Sequence, residues 1–369
     1  MIRKIPLASP IFDEEMKEAA LKAMLNERFV LGESVHKFEE EFARYCGTRF
    51  AVATASGTSA LILSMVASNL HGSDVVTSPM SFVASANSII HAGGTPKFVD
   101  VSLENYTMDP TKLRASITDK TKAVLPVHLY GFPAPMKELR EITSERGLLL
   151  IEDACQAHGT VYQGKKAGAL GDIGCFSFYP SKNMTVGGDG GMVVTDNETV
   201  ADAVRCLRDC GRAKGQKYLH SMIGFTERLN TIQAAIGRVQ LKRLDEWNEA
   251  RRRIAAKYDK ALSSVKQVVT PPPPNSSANP VYHVYVIRCQ RREELRTWLQ
   301  KVGVETGIHY EVPIHMQPIY REMFGYEGGE FPNSETLCRE VLSLPMYPNM
   351  TQEDVDFVSQ KIREYYGNS

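Results

Sequence analysis

The chain lacks most of the features that would assign it at a glance. It carries no net charge, with 43 Lys+Arg against 43 Asp+Glu, so its balance gives no reason to expect nucleic acid or an anionic membrane as partner. No apolar run approaches the ~20 residues of a membrane span. Met1-Ile2-Arg3-Lys4-Ile5-Pro6 leads straight to an acidic helical stretch, which is not the pattern of a secretory leader. The seven cysteines (46, 155, 175, 206, 210, 289 and 338) are scattered and contain no C-x-x-C pair. Reduced thiols in a cytoplasm are the expectation. What is present is ordinary globular composition, 43% hydrophobic and 23% charged over 369 residues, long enough for roughly two domains at ~150 residues each.

The order of elements says more than the composition. Asp13–Leu25 is an amphipathic helix with acids in its first turn, and Phe38, Phe42 and Tyr45 share one face of a second. Strand candidates then alternate with helices. Val75–Thr77 precedes a helix over Phe82–Ile90, Lys97–Val101 one over Thr111–Ile117, and Ala123–Val127 one over Met136–Arg146. Two more apolar runs follow, Leu148–Ile151 and Ile173–Phe178, then Gly190–Thr195 with a glycine-rich hairpin signal at Gly187–Gly191. Such alternation predicts an α/β layer structure with a largely parallel sheet. Helices are expected at Val200–Arg208, Leu229–Leu244 and Asp245–Leu262. The four prolines 271–274 read as a stiff approach to a smaller α+β unit, with a strand at Val281–Cys289 and helices at Glu293–Val302 and Thr351–Tyr366. The expected division is a large α/β domain over 1–245 and a small α+β domain over 246–369.

Two strand ends carry the chemistry. Leu148–Ile151 closes on Glu152-Asp153, and Ile173–Phe178 closes on Tyr179-Pro180-Ser181-Lys182. Parallel neighbours would point both ends at one crevice, where ligands of open α/β sheets sit. A carboxylate and an amine brought together there suit pyridoxal phosphate. The lysine would form a Schiff base and shuttle a proton, and the aspartate would keep the pyridine nitrogen protonated. Taken singly, Asp153 is as well read as a turn cap and Lys182 as a surface residue. Likewise Ser56-Gly57-Thr58-Ser59, opening a helix, is a phosphate cradle in principle and a plain N-cap otherwise.

The blocks FVLGESVHKFEEEFARY, SGTSAL, PKFVDV, VLPVHLYG, IEDACQAHG, FSFYPSKN and LNTIQAAIG run nearly end to end. In that order and spacing the chain resembles the DegT/DnrJ/EryC1/StrS family of sugar aminotransferases, members of the fold type I pyridoxal phosphate enzymes. The resemblance implies that fold, with Lys182 as Schiff-base lysine and Asp153 as partner of the pyridine nitrogen. It places Gln156 near the phenolic oxygen, Gly57, Thr58 and Ser177 at the phosphate, and Phe82 over the ring. Lysine rather than histidine at position 182 favours transamination over dehydration.

One departure is evident. Where the family has Gly-x-Asn-x-Arg, this chain has Gly224-Phe225-Thr226-Glu227-Arg228. Thr226 keeps a hydroxyl for the phosphate of the neighbouring subunit, and Arg228 suits capture of a donor carboxylate. The family's use of this loop implies a homodimer with shared active sites. The stretch Gly307–Pro318 resembles the IHYPVPIHLQ run of members that aminate C3, with Glu311 in place of the usual proline. It nominates His309, Tyr310 and His315 for contacts to sugar hydroxyls or diphosphate, in a spacing that suits no metal. The implied reaction carries an amine from L-glutamate, through the pyridoxamine form, to a keto-sugar nucleotide, with C3 favoured over C4. The alternatives are an aminocyclitol ketone as acceptor, a non-catalytic cofactor-binding regulator or sensor, and a sugar-nucleotide scaffold.

Overall fold

The computed structural model describes residues 3–274 and 276–367. Its centre is a seven-stranded sheet made of β1 (Phe50–Thr54), β2 (Asp74–Thr77), β3 (Thr95–Phe98), β4 (Thr121–Leu125), β5 (Leu149–Asp153), β8 (Ile173–Ser177) and β9 (Gly191–Thr195). Two short strands, β6 (Val161–Tyr162) and β7 (Lys165–Lys166), intervene in the chain between β5 and β8. The strand order is β1-β9-β8-β5-β4-β2-β3. Only β9 runs against the others, pairing antiparallel with both β1 and β8. The expected parallel pair is present, with Ile151 opposite Ile173 and Asp153 opposite Cys175. Both strands are almost wholly buried, as the faces of a helix-covered parallel sheet must be.

Local chemistry sets the helix ends. Asp13 caps α1 (Glu14–Asn26), Ser56 caps α3 (Gly57–Ala67) and Asn197 caps α7 (Glu198–Arg208), each through its side-chain oxygen. Helix α2 (Glu33–Cys46) ends at Gly47 and α6 (Met136–Arg146) at Gly147, both left-handed. Helices α4 (Ala84–His91) and α5 (Pro110–Ser116) complete the layers around the sheet. The pattern Phe38, Phe42, Cys46 buries one face of α2, and both rings meet Phe178 at 5.2 and 5.4 Å between centroids.

The expected break at residues 244–245 is absent. Helix α8 (Thr231–Leu262) runs on for 32 residues through that point. Its C-terminal part, with Ile254, Ala255, Tyr258 and Leu262, packs against a second sheet in order β10 (Val268–Val269), β12 (Tyr285–Cys289), β13 (Val341–Leu344). Helices α9 (Arg292–Lys301) and α12 (Gln352–Gly367) supply Leu295, Leu299, Val355 and Ile362 to the same core. The expected C-terminal strand and helices are therefore present, joined by α10 (Pro318–Phe324) and α11 (Pro332–Glu340). A third small sheet, β11 (Ala278–Asn279) with β6 and β7, was not anticipated, since two-residue strands carry no periodicity. Among the described residues no helix is long and apolar enough to cross a membrane.

Packing of α8 on α2 gives a test. Glycine in a helix normally gains about 1 kcal/mol on replacement by alanine. At Gly237, however, a Cβ would lie 2.8 Å from the Phe38 ring and 3.0 Å from Val186. Phe38 has no exposure and is wedged against Phe42 and Phe178, so it has nowhere to move. Gly237→Ala is expected to lower the unfolding free energy by about 1–3 kcal/mol in denaturant titration; a gain in stability would show that this contact is looser than described.

Candidate active site

The C-terminal ends of β5 and β8 open on a cavity of about 450 Å³. Asp153 is the last residue of β5, and Lys182 lies one turn beyond β8, its amide donating to the Tyr179 carbonyl at 2.9 Å. Both line the cavity together with Gly57, Thr58, Phe82, Gln156, Ser177, His309 and Tyr310. Nine of the residues nominated from sequence thus meet at one place, drawn from positions as far apart as 57 and 310.

Each is held by neighbours. Asp153 Oδ2 accepts from Ser85 Oγ at 2.6 Å, and Ser85 in turn bonds Ser81 at 2.7 Å. The amide of Cys155 donates to Asp153 Oδ1 at 3.2 Å. Among the described residues the Lys182 amine forms no salt bridge. Burial pushes its pKa below the ordinary lysine value, opposed in part by Cys155 and Asp153. Gln156 is fixed at both ends: the Tyr130 amide donates to its Oε1 at 2.7 Å, and its Nε2 donates to the Tyr310 hydroxyl at 3.1 Å. The Phe82 ring stands 5.9 Å from that of Tyr310 and is 55% exposed, a flat apolar face left open beside the cavity.

The start of α3 has the form of an anion cradle. Ser56 Oγ accepts from the Ser59 amide at 3.0 Å, and the first intrahelical bond runs from Ala60 to Ser56. The amides of Gly57 and Thr58 are left outside the helix's own ladder. Gly57 is required by proximity, since a Cβ there would lie 2.6 Å from Ser177 Cβ and 2.9 Å from Cys155 Sγ. An unpaired amine, a fixed carboxylate, a cradle at a helix start and an open ring face together fit pyridoxal phosphate.

Three nominated residues do not line this cavity. His315 has no exposed surface; its Nε2 lies 3.2 Å from Glu335 Oε1, and its ring packs on Phe331 at 4.8 Å and Tyr326 at 5.7 Å. His315, nominated for a sugar contact, is instead placed in an aromatic cluster. Thr226 is exposed and lies 3.4 Å from Cys210 Sγ. The guanidinium of Arg228 pairs with Asp209. Neither reaches the cavity of its own chain. The sequence reading passed over Ser81, Ser85, Asp189 and His283, which also line the cavity. Serines at a helix start and a histidine within the expected strand Val281–Cys289 carry no signal of their own.

The fold and this set of groups define a pyridoxal phosphate-dependent transaminase. More narrowly, the chain belongs to the DegT/DnrJ/EryC1/StrS aminotransferase family, whose model matches residues 10–363. It is 39% identical to the dTDP-3-amino-3,4,6-trideoxy-alpha-D-glucose transaminase of Streptomyces venezuelae, over 94% of this chain and 91% of that one. It is 38% identical to a protein of Geobacillus stearothermophilus named pleiotropic regulatory protein, over 94% and 92% of the two chains. Among solved structures, S. venezuelae DesV in complex with a ketimine intermediate superposes with a TM-score of 0.92 at 38% identity, covering 95% of this chain and 94% of that one.

The buried imidazoles predict the acid limb of stability. Burial, then the charge of Lys182, hold the pKa of His309 down to about 4 and that of His158 to about 3. Unfolded histidines titrate near 6.5, so below that pH the unfolded chain takes up protons that the folded chain refuses. The contribution is complete above about 6.5 and is lost as pH falls toward 4. The melting temperature is expected to fall over that interval, less steeply in His309→Phe; an unchanged slope in the variant would show that His309 is not the group responsible.

Proposed function

We propose that the protein moves an amino group from L-glutamate to a keto group on a nucleotide-diphosphate sugar, with C3 favoured over C4. The observation that carries this reading is the meeting of Lys182, Asp153 and the Gly57–Thr58 turn at one cavity. When bound, pyridoxal phosphate supplies the aldehyde that captures the amine and the ring that takes up electron density. Asp153, held by Ser85 and the Cys155 amide, would face the pyridine nitrogen as a fixed negative charge. The α3 amides and Ser177 would anchor the phosphate. Phe82 would cover one ring face and Gln156 would sit by the phenolic oxygen. Lys182 Nζ, facing the cavity and with no carboxylate partner among the described residues, is suited to carry a proton to and from the reacting carbon in each half of the reaction. His309 and Tyr310 line the remaining space and offer hydrogen bonds to the sugar.

The name of the S. venezuelae relative places its product amine on C3, which agrees with the resemblance of the Gly307–Pro318 run and supports the C3 preference. We infer further that two copies complete each site. Thr226 and Arg228 stand away from their own cavity, beside a segment that exposes Ile223 at 97% and Tyr218 at 81%. In a homodimer that apolar segment would be covered, and Thr226 and Arg228 would reach the neighbour's phosphate and donor carboxylate. The large cofactor-binding part is taken as 1–245 and the smaller part as 246–369, with α8 as a common spine.

Supplied with L-glutamate, the enzyme is expected to aminate 3-keto nucleotide sugars faster than 4-keto ones, followed by mass spectrometry of the product. Amination of the 4-keto series alone would reverse the positional assignment. Asp153→Asn should lower kcat by about 10²–10³-fold, the usual cost of losing one preorganised electrostatic group, and Lys182→Ala by at least about 10²-fold.

A further inference from the structure

His283 lines the same cavity as Lys182 and His309, yet no role above uses it. It sits two residues ahead of β12, and its backbone is fixed from both sides. Its amide donates to the Tyr130 carbonyl at 2.8 Å, and its carbonyl accepts from Arg251 Nη1 at 3.2 Å. The residue is 7% exposed. Nδ1 is sealed from solvent and, among the described residues, has no hydrogen-bond partner. Nε2 is not sealed and, among the described residues, bonds to no protein group; it is the ring nitrogen left open to the cavity.

This asymmetry assigns the proton. A buried N–H with no acceptor is rarer and costlier than a buried acceptor with no donor. The lone pair therefore belongs on Nδ1 and the hydrogen on Nε2. The ring also stays neutral, because burial, with Lys182, Arg251, His309 and His158 around it, holds its pKa well below the ordinary histidine value. The cavity thus contains an uncharged N–H on a rigid backbone, aimed inward and waiting for an acceptor. A carboxylate would draw little from a neutral donor when arginine is available, whereas a neutral sugar oxygen matches it.

The geometry points to His283 as a specificity residue for the acceptor, its Nε2–H donating to a hydroxyl or carbonyl oxygen of the keto sugar. This rests on the keto-sugar reading of the site. Holoenzyme carrying His283→Phe, which keeps the bulk and loses the donor, and His283→Gln, whose amide restores an N–H near the Nε2 position, separates the possibilities. The two half-reactions are followed by cofactor absorbance, with melting temperature and cofactor content as controls for folding. His283→Phe is expected to raise KM for the keto sugar about tenfold, the loss of one hydrogen bond, while the glutamate half-reaction stays unchanged and His283→Gln recovers most of the loss. An unchanged KM in the Phe variant, equal damage to both half-reactions, or no recovery with Gln would overturn the inference. Should His283→Phe not fold, ¹⁵N spectra of the wild-type histidines decide: a protonated Nε2 that shifts on adding keto sugar supports it, and the opposite tautomer or no shift overturns it. A folded, glutamate-competent wild type that aminates neither 3-keto nor 4-keto nucleotide sugars would instead sink the proposed function, and this inference with it.

Discussion

A half-buried amine at a cavity wall, with no counter-ion among the described residues, is the constraint on which the rest of this structure depends. Transferring Lys182 into the protein costs free energy in its charged form, and a carboxylate alongside would offset part of that cost. The nearest candidate, Asp153, has its oxygens engaged by Ser85 and the Cys155 amide instead. Hydrogen bonding keeps the acid fixed at one wall while the amine remains unpaired at another. Burial, with no ion pair to oppose it fully, leaves the amine's pKa below the ordinary lysine value, the direction that would favour covalent capture of an aldehyde. A direct ion pair would stabilise the fold and silence the site.

The same strand shows how the sheet supports this arrangement. Side chains alternate along β5, so Asp153 faces the ligand side and Glu152 the opposite layer. There the fully buried Glu152 carboxylate accepts from His128 Nε2 at 2.8 Å and from the amides of Gly168, Leu170 and Gly171 at 2.8, 2.8 and 2.5 Å. His128 Nδ1 accepts from the Ala134 amide at 3.0 Å, which leaves its proton on the nitrogen facing Glu152. One acid therefore fixes the loop leading into β8 while its neighbour lines the cavity. The adjacent acidic pair is a division of labour between structure and chemistry.

Much of this was legible in the sequence because burial writes itself as apolar runs. Leu148–Ile151, Ile173–Phe178 and Gly190–Thr195 stand within a residue or two of their strands, and Met136–Arg146 is a helix over those very residues. The reversed direction of β9 shows only in the glycine-rich hairpin signal ahead of it, since a buried strand itself reads alike in either sense. The continuity of α8 was not legible: Asp245 is a weak helix former that favours caps and turns, and only packing on both cores shows that the helix runs on. Nor was the placement of His315, because a histidine in a polar-looking run reads the same whether it faces a cavity or, as here, Phe331 and Tyr326. His283 escaped notice for the converse reason: its fixed backbone and one open nitrogen are facts of the tertiary structure alone.

The central claim is that the Lys182 amine is the group that holds the cofactor aldehyde. Borohydride reduction of the holoprotein followed by peptide mapping addresses it most directly. The account predicts a pyridoxyl mass increment on Lys182 and on no other lysine, lost in Lys182→Ala; a label on a different lysine, or none on a protein that retains the cofactor, would contradict it.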